Sequence, residues 1–157
     1  MTTQWIEMNA EQFRGYAAHS SAGYANDIQL TYKQPPDLTP LQQSCLMDTL
    51  LPQGVNTPNH YLFTLHSTEG EAIGVLWFGT HMEYGAKTLF IYDLEIYPRA
   101  QRRGHATEVM SMLECWARTN DVDCLELNVF AHNKAAQALY HSCGLIPYEI
   151  TMGKQLD

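Results

Sequence analysis

The sequence of 157 residues lacks the long apolar run that a membrane-spanning helix requires. Its N-terminus is polar, so no secretory signal peptide is expected. It contains neither a Gly-Lys-Ser/Thr phosphate loop nor a G-x-G-x-x-G dinucleotide fingerprint. We therefore expect a soluble, cytoplasmic protein that has no membrane partner and that does not rely on either of these nucleotide-binding motifs.

Cysteine and positive charge are both scarce. The four cysteines are widely spaced without a CxxC pair, so in a cytosolic chain they indicate reduced thiols, and no metal site is expected. Nine Lys and Arg residues against 17 Asp and Glu residues give a formal net charge of −8. This balance argues against nucleic acid as the main partner and mildly favours a cationic small substrate, although solubility alone would also explain it.

The N-terminal third has weaker patterning than the rest of the chain. The length favours one domain, 1–157, and no internal repeat or linker is visible. A strand candidate at Gln4–Met8 precedes a helix that is expected to run to about Ser20. Prolines and a glycine interrupt residues 21–40, and a second helix is then expected up to about Leu50.

Three β-rich runs follow, separated by turns of about four residues, and predict an antiparallel meander. The runs are Tyr61–Ser67, Ala72–Met82 and Thr88–Tyr97. A helix from Ala106 to about Thr119 then leads to a strand at Cys124–Phe130, which would lie parallel to the third run because the helix forms a crossover. A helix capped by Asn133 and a closing strand or hairpin at Tyr148–Gln155 complete a mixed α/β sheet, in which the meander feeds a βαβ unit.

The segment from Leu89 to Thr107 is the strongest local indication of function. It reads as a β-branched and aromatic strand, a loop marked by Pro98, a glycine turn and a helix. A helix that begins directly after Gly104 presents free N–H groups that attract phosphate, and Arg102 and Arg103 add positive charge. On this turn alone, a plain connection between strand and helix is the more frequent alternative.

Two segments together resemble the motifs of the GNAT acetyltransferase superfamily. Gln101–Ala106 (QRRGHA) fits the pattern Q/R-x-x-G-x-G/A after a strand that ends in proline. Asn133–Leu145 (NKAAQALYHSCGL) fits N-x-x-A-x-x-L-Y-x-x-x-G-F, with leucine at the last position. The resemblance covers Tyr61 to Leu145, and residues 51–61 are similar to an uncharacterised bacterial subgroup.

The resemblance implies the acyl-CoA N-acyltransferase fold, with acetyl-coenzyme A lying where the fourth and fifth strands diverge. The strand backbone would contact the pantetheine arm, the glycine turn would bind the pyrophosphate, and the start of the last helix would contact the pantetheine region. The residues assigned in this way to cofactor binding are Leu94, Ile96, Gln101, Arg102, Arg103, Gly104, His105, Ala106, Thr107, Asn133 and Ala136.

Tyr140, in the second motif, is implied by the resemblance to protonate the departing thiolate. The spacing supports this role independently, because Asn133 and Tyr140 are seven residues apart, or two helical turns, and share a helix face. The alternative is that Tyr140 only packs its ring against the sheet.

The acceptor amine must also lose a proton, so a base or a water chain is expected. Strand alternation places Asp93 and Glu95 on one face of the central strand. Tyr92 would face the other way, unless a bulge, usual in this superfamily, changes the parity. Two carboxylates beside a thioester would raise each other's pKa and attract a cationic amine. We predict that Glu95 is the base and that Asp93 interacts with the charge of the substrate. Asp93, Glu126 or water are the alternative bases. The alternative for both Asp93 and Glu95 is that they are solvated or paired carboxylates on the surface of the strand.

Several aromatic and histidine side chains are candidates for the acceptor pocket, because a ring suits an ammonium group through cation–π contact. They are Tyr24, Tyr32, His60, Tyr61, Trp77, His81 and Tyr84.

The resemblance implies an N-acetyltransferase that acts on a primary amine of a small molecule by direct attack in a ternary complex. The alternatives are a peptide N-terminus or a protein lysine as acceptor, and an acyl-CoA-binding module without catalysis. Dimers are common in the superfamily, so a homodimer is also expected.

Overall fold

The computed structural model describes residues 2–32 and 47–156, which are built around one five-stranded sheet. The strands lie side by side in chain order, antiparallel from β1 to β4 and parallel between β4 and β5. They are β1 Gln4–Glu7, β2 His60–His66, β3 Ala72–Glu83, β4 Ala86–Ile96 and β5 Cys124–Leu127. The predicted meander, the parallel fifth strand and the mixed α/β class are thereby confirmed.

Three α-helices of the described residues pack on this sheet. They are α1 Ala10–Tyr32, α2 His105–Thr119 and α3 Lys134–Ser142. Residues 47–50 are also helical, and the rest of the predicted second helix lies outside the described residues. In the two described ranges, no helix combines the length and the apolar character that crossing a membrane would need.

Helix α1 is longer than predicted, because it continues past Ser20 to Tyr32. Reciprocal hydrogen bonds between Asn9 and Gln12 start it, with N···O distances of 2.8 and 2.9 Å. The second half has no clean apolar stripe that a sequence pattern would detect. It is supported instead by tertiary contacts, since Asp27 pairs with His132 at 3.1 Å.

The sheet separates two apolar clusters, and each lies under a different helix. On the α2 face, Phe78 and Leu89 of the sheet pack with Leu113 of α2, and all three side chains are fully buried. On the α1 face, Trp77 of β3 packs with Tyr16 of α1. Helices α1 and α2 therefore cover opposite faces of the sheet, and any side chain on β4 meets one or the other according to its parity.

The C-terminal part departs from the predicted strands. Strand β5 ends at Leu127 rather than Phe130, because β4 and β5 stop pairing there. Residues 148–155 form no strand, and Tyr148, Ile150 and Met152 are 67, 76 and 90% exposed. Their alternating pattern suits a strand, but a strand also needs a ladder partner, and none is found among the described residues.

Candidate active site

A bulge in β4 determines which side chains face α1. Trp77 pairs with Asp93, whereas the next residue of β3 pairs with Ile91, so Tyr92 has no residue opposite it. Tyr92 and Asp93 therefore both face α1, and the Tyr92 ring stacks on Trp77 with centroids 4.6 Å apart. The prediction that Asp93 and Glu95 share a face is confirmed. The alternation that put Tyr92 on the opposite face is wrong, because the bulge changes the parity.

Beyond the bulge, β4 leaves β5 and an opening begins between them. The parallel ladder ends at Ile91 and Leu127, and the remainder of β4 pairs with β3 alone among the described strands. Leu94 and Ile96 lie on the α2 face as the alternation predicts, and both pack in its apolar cluster. The Ile96 carbonyl accepts a 2.8 Å hydrogen bond from Nε2 of Gln101, which ties the end of β4 to the following turn.

Asp93 lies at this opening and is held by Tyr16 of α1. The Tyr16 hydroxyl donates to Oδ2 of Asp93 at 2.7 Å. Burial raises the pKa of Asp93 to about 6; the hydrogen bond from Tyr16 opposes this shift, and the nearby Glu95 carboxylate adds to it. Burial and the Asp93 charge raise the pKa of Tyr16 well above its usual range. Asp93 is therefore a stronger base than an exposed carboxylate, and Tyr16 stays a donor.

Glu95 has a different environment on the same face. Its two carboxylate oxygens lie 3.0 and 3.1 Å from Nε2 of His19 on α1. The side chains of His19 and Glu95 are 61 and 34% exposed, so this contact lies at the rim of the site. The structure thus distinguishes the two carboxylates: Asp93 lies inside against Tyr16, and Glu95 lies at the edge against a histidine.

Tyr140 lies on α3, the helix that follows β5 in the chain. Burial, with smaller contributions from the charges of Asp93 and Cys143, raises the pKa of Tyr140 to about 12. The influence of Asp93 shows that the two side chains lie within electrostatic reach of each other. The ring also packs against the cluster on the α2 face, so both interpretations of this tyrosine agree with its placement.

The turn before α2 has the geometry of an anion site. Gly104 caps the helix with φ of +84°, a left-handed conformation that glycine adopts without strain, and Arg102 has φ of +61°. The first N–H groups of a helix have no partner within it, so those of α2 point toward this turn. Arg103 and Thr107 are exposed beside it, whereas His105 is buried, at 6% exposure.

Asn133 has a structural role at the start of α3. Its Oδ1 accepts a hydrogen bond from the backbone N–H of Ala136 at 3.2 Å, which caps the helix as predicted. Contact of these two residues with a cofactor stays a prediction. Just before them, Nε2 of His132 lies 3.1 Å from Oδ1 of Asp27 on α1. Helix α1 therefore spans the opening, from Asp93 on β4 to the loop that follows β5.

The candidates for the acceptor pocket divide between the two faces of the sheet. Trp77 donates from Nε1 to Nδ1 of His60 at 3.0 Å, and the His60 ring lies 5.4 Å from Tyr92, all on the α1 face. Burial lowers the pKa of His60, which favours its neutral form. Tyr61 packs in the cluster on the α2 face, and Tyr84 is fully exposed in the turn after β3. Strand alternation excludes Tyr61 from a pocket on the α1 face.

Glu126 lies in a separate group with Glu83 and His81. One ligand-type atom of each lies within 4.8 Å of the others, and such exposed acidic groups are common without a bound ion. Partial burial and the neighbouring Glu83 raise the pKa of Glu126. It is opposite Phe90 in the ladder, three residues from Asp93, so it is displaced from the opening.

Two side chains of this site, Tyr16 and His19, were not identified from the sequence. Both lie on α1, and they meet Asp93 and Glu95 only through tertiary packing across more than seventy residues. The sequence pattern that could have indicated them is a tyrosine and a histidine three residues apart, which share a face of the predicted helix. A helix that packs on the sheet could bring this face to the predicted strand that carries the two carboxylates.

The chain is similar in sequence to known acetyltransferases. The model of the acetyltransferase (GNAT) family matches residues 26–145. Two similar proteins come from Bacillus subtilis (strain 168). The uncharacterized N-acetyltransferase YycN is 32% identical over 157 residues, covering 99% of this chain and 100% of its own. The uncharacterized N-acetyltransferase YdgE is 29% identical over 152 residues, covering 96% of each chain.

Solved structures have the same fold over almost the entire chain. The crystal structure of YycN superposes with a TM-score of 0.93 at 31% identity and covers 99% of both chains. The structure of AAC(6')-Iy in complex with the bisubstrate analogue CoA-S-monomethyl-acetylneamine has a TM-score of 0.62 at 14% identity. It covers 100% of this chain and 99% of that chain, and at this identity the likeness concerns the fold alone.

Proposed function

The chain belongs to the acetyltransferase (GNAT) family, and on this premise we propose that it acetylates a primary amine of a small molecule by direct attack in a ternary complex. Members of the family use acetyl-CoA, so the protein is an acetyl-CoA-dependent acetyltransferase. The observation that carries the finer proposal is that Asp93 of β4, held by Tyr16 where the β4–β5 ladder has ended, lies near enough to Tyr140 of α3 for its charge to raise the pKa of that tyrosine. Amine acetylation requires a base that takes a proton from the amine and an acid that gives a proton to the leaving sulfur, and both must lie at the same site.

The residues around this opening fit the cofactor. When bound, acetyl-CoA supplies a thioester carbonyl that an amine can attack. The Gln101–Thr107 segment would bind the pyrophosphate through helix N–H groups and the two arginines, which the left-handed Gly104 supports. The backbone of Leu94 and Ile96, and the segment that begins with Asn133 and Ala136, would line the path of the pantetheine arm.

Asp93 accepts the proton that the attacking amine loses. Its pKa of about 6 suits a base that works near neutral pH, because it is ionised there and still has appreciable affinity for a proton. Tyr140 donates its hydroxyl proton to the sulfur that leaves. A pKa of about 12 keeps that hydroxyl protonated throughout the working range, so it is always available as a donor.

Glu95 acts in this proposal at the mouth of the site. Its partial exposure and its contact with His19 suit a group that attracts a cationic amine rather than one that removes a proton at the thioester. The prediction from the sequence assigned the two carboxylates the opposite roles. The side-chain contacts of Asp93 with Tyr16 and of Glu95 with His19 are the reason for exchanging them.

A small amine as acceptor is supported by charge and by aromatic surface. The net charge is −8, and the partly exposed rings of Tyr92 and His60 lie on the face that carries Asp93, packed against the buried Trp77. AAC(6')-Iy, which has the same fold, was solved with an analogue that joins CoA to an acetylated amine compound. A carboxylate beside aromatic rings suits an ammonium group that becomes neutral on losing a proton.

The test is acetyl-CoA-dependent thiol release with panels of polyamines, aminoglycosides, amino acids and short peptides. We expect release with a class of small amines, strongly reduced in Asp93→Asn and in Tyr140→Phe. Glu95→Gln should mainly raise KM for the amine. Glu114→Gln, which removes an exposed carboxylate on α2, is the matched control and should behave as wild type. Preference for peptides, or full activity of Asp93→Asn, would contradict the proposal.

A further inference from the structure

We propose that Tyr16 is a positioning residue, which holds Asp93 in the orientation and protonation state needed to accept a proton. This inference rests on the proposed function, in which Asp93 is the base. It concerns a residue on α1 that lies 77 positions from its partner in the chain. Tyr16 acts through Asp93 and is not itself proposed to touch the amine or the cofactor.

The Tyr16 hydroxyl is fixed by the packing of its ring. The residue is 6% exposed and lies in the cluster on the α1 face with Met8 and Val75. A ring held in this way directs its hydroxyl, which meets Oδ2 of Asp93 at 2.7 Å, the length of a charge-assisted bond. The bond engages Oδ2, and in this proposal the other carboxylate oxygen, Oδ1, accepts the amine proton.

The charge of Asp93 depends on a small set of opposing groups. The titratable groups that face it are Tyr16, His19 and Asp27 from α1, Glu95 from β4, Tyr97 just after β4, and Tyr140 from α3. Burial, Glu95 and Asp27 disfavour the carboxylate, whereas Tyr16 and His19 favour it. Of these described groups, Tyr16 donates a hydrogen bond directly to Asp93. Without it, burial would act almost unopposed and Asp93 would stay protonated to higher pH.

The decisive variant is Tyr16→Phe, which keeps the ring and removes the donor. The acidic limb of the kcat/KM profile should move upward by about one pH unit, since a hydrogen bond to a charged group has roughly that effect. Below the limb the rate should fall about tenfold, and at high pH most of it should return. Tyr61→Phe, in which the altered ring lies on the α2 face, should leave the limb in place.

A second variant changes the bond in the opposite direction without a packing defect. Site-specific 3-fluorotyrosine at position 16 has a more acidic hydroxyl, which donates more strongly and stabilises the carboxylate. The acidic limb should then move to lower pH. A limb that stays fixed in both variants, or a loss of rate that is equal at every pH, would show that Tyr16 only packs and would overturn the proposal.

A direct titration separates this inference from the proposed function. The carboxyl carbon of Asp93 can be followed by ¹³C NMR in the free protein, with no substrate present. We expect a midpoint near pH 6 in the wild type and a higher one in Tyr16→Phe. Equal midpoints would overturn the positioning role, whatever the activity. A shifted midpoint in a protein that acetylates no amine would support the role of Tyr16 while rejecting Asp93 as a catalytic base.

Discussion

The negative charge of Asp93 lowers the stability of the folded protein. Its pKa is raised from 3.8 to about 6 mainly by burial, so the folded state prefers the protonated carboxyl. A carboxyl whose pKa is higher in the folded state stabilises the protein at low pH, and this contribution is lost as the pH rises through the folded pKa. At neutral pH the ionised Asp93 therefore destabilises the fold, as catalytic groups often do.

Asp93→Asn should make the protein more stable than wild type at pH 7.5, by about 1–3 kcal/mol. Asparagine keeps the shape and can still accept a hydrogen bond from Tyr16, but it has no charge to bury. The gain should shrink as the pH falls through about 6 and vanish below about pH 4. Urea unfolding at several pH values measures it, with Glu114→Gln on α2 as the control, because α2 covers the opposite face of the sheet from Asp93. Equal stability at pH 7.5 would contradict the burial of this charge.

Tyr140→Phe separates proton donation from ring packing. Phenylalanine retains the contact with the apolar cluster, so the fold and the affinity for acetyl-CoA should be nearly unchanged. Turnover should fall by about a hundredfold or more, the usual effect of losing a general acid. Calorimetric titration with acetyl-CoA and steady-state kinetics give the two quantities. Tyr148→Phe, in the exposed C-terminal segment, is the control. A variant that turns over normally would leave Tyr140 with packing alone.

At the scale of elements, β4 carries the site because β3 allows a close approach. A Cβ added to Gly74 would overlap the backbone carbonyl of Glu95, whereas one added to Gly23 in α1 would meet nothing within 4 Å. Gly74→Ala should therefore destabilise the protein by about 2 kcal/mol or more and lower activity, because β4 must shift. Gly23→Ala should stabilise it by about 0.5–1 kcal/mol. Denaturant unfolding of both compares them, and a neutral Gly74→Ala would contradict the close contact.

The elements that the sequence predicted well are those whose apolar residues recur at a regular spacing. Strands β2 to β4 and helix α2 begin and end within about two residues of the predicted bounds, because their apolar residues recur at strand or helix spacing. The second half of α1 and the end of β5 were missed for the opposite reason. Helix α1 is held there by the Asp27–His132 pair, and β5 ends because its partner β4 turns away. Neither cause is visible in a local window.

The candidate site was predictable only where a motif or a turn marks it. The Gln101–Ala106 turn and Asn133 lie where the two motifs indicate, and Asp93 and Glu95 share a face as alternation requires. The bulge at Tyr92 depends on the register between β3 and β4, which a single strand does not encode. Tyr16 reaches the site only when α1 packs on the sheet.

At the scale of the whole molecule, the acidic balance should favour cationic acceptors. The protein has a net charge of −8, which attracts a positively charged polyamine. Salt screens this attraction and shortens the distance over which it acts. For a polyamine acceptor, kcat/KM should fall about tenfold from about 0.02 to about 0.3 M salt. A monoamine, which carries one charge, is the control and should lose much less. Equal salt dependence for both would contradict electrostatic attraction. The single domain and the homodimer stay predictions.

The central claim is that the acetyl group passes directly to an amine, and a mass balance tests it. The wild-type protein would be given acetyl-CoA labelled with ¹³C in the acetyl group and the best acceptor of the panel. Mass spectrometry would follow free CoA, N-acetylated amine, free acetate and the intact protein in one time course. We expect one labelled N-acetyl product for each CoA released, with no label on the protein. CoA released with labelled acetate and no acetylated amine, or label accumulating on Cys124 or Cys143, would contradict direct transfer.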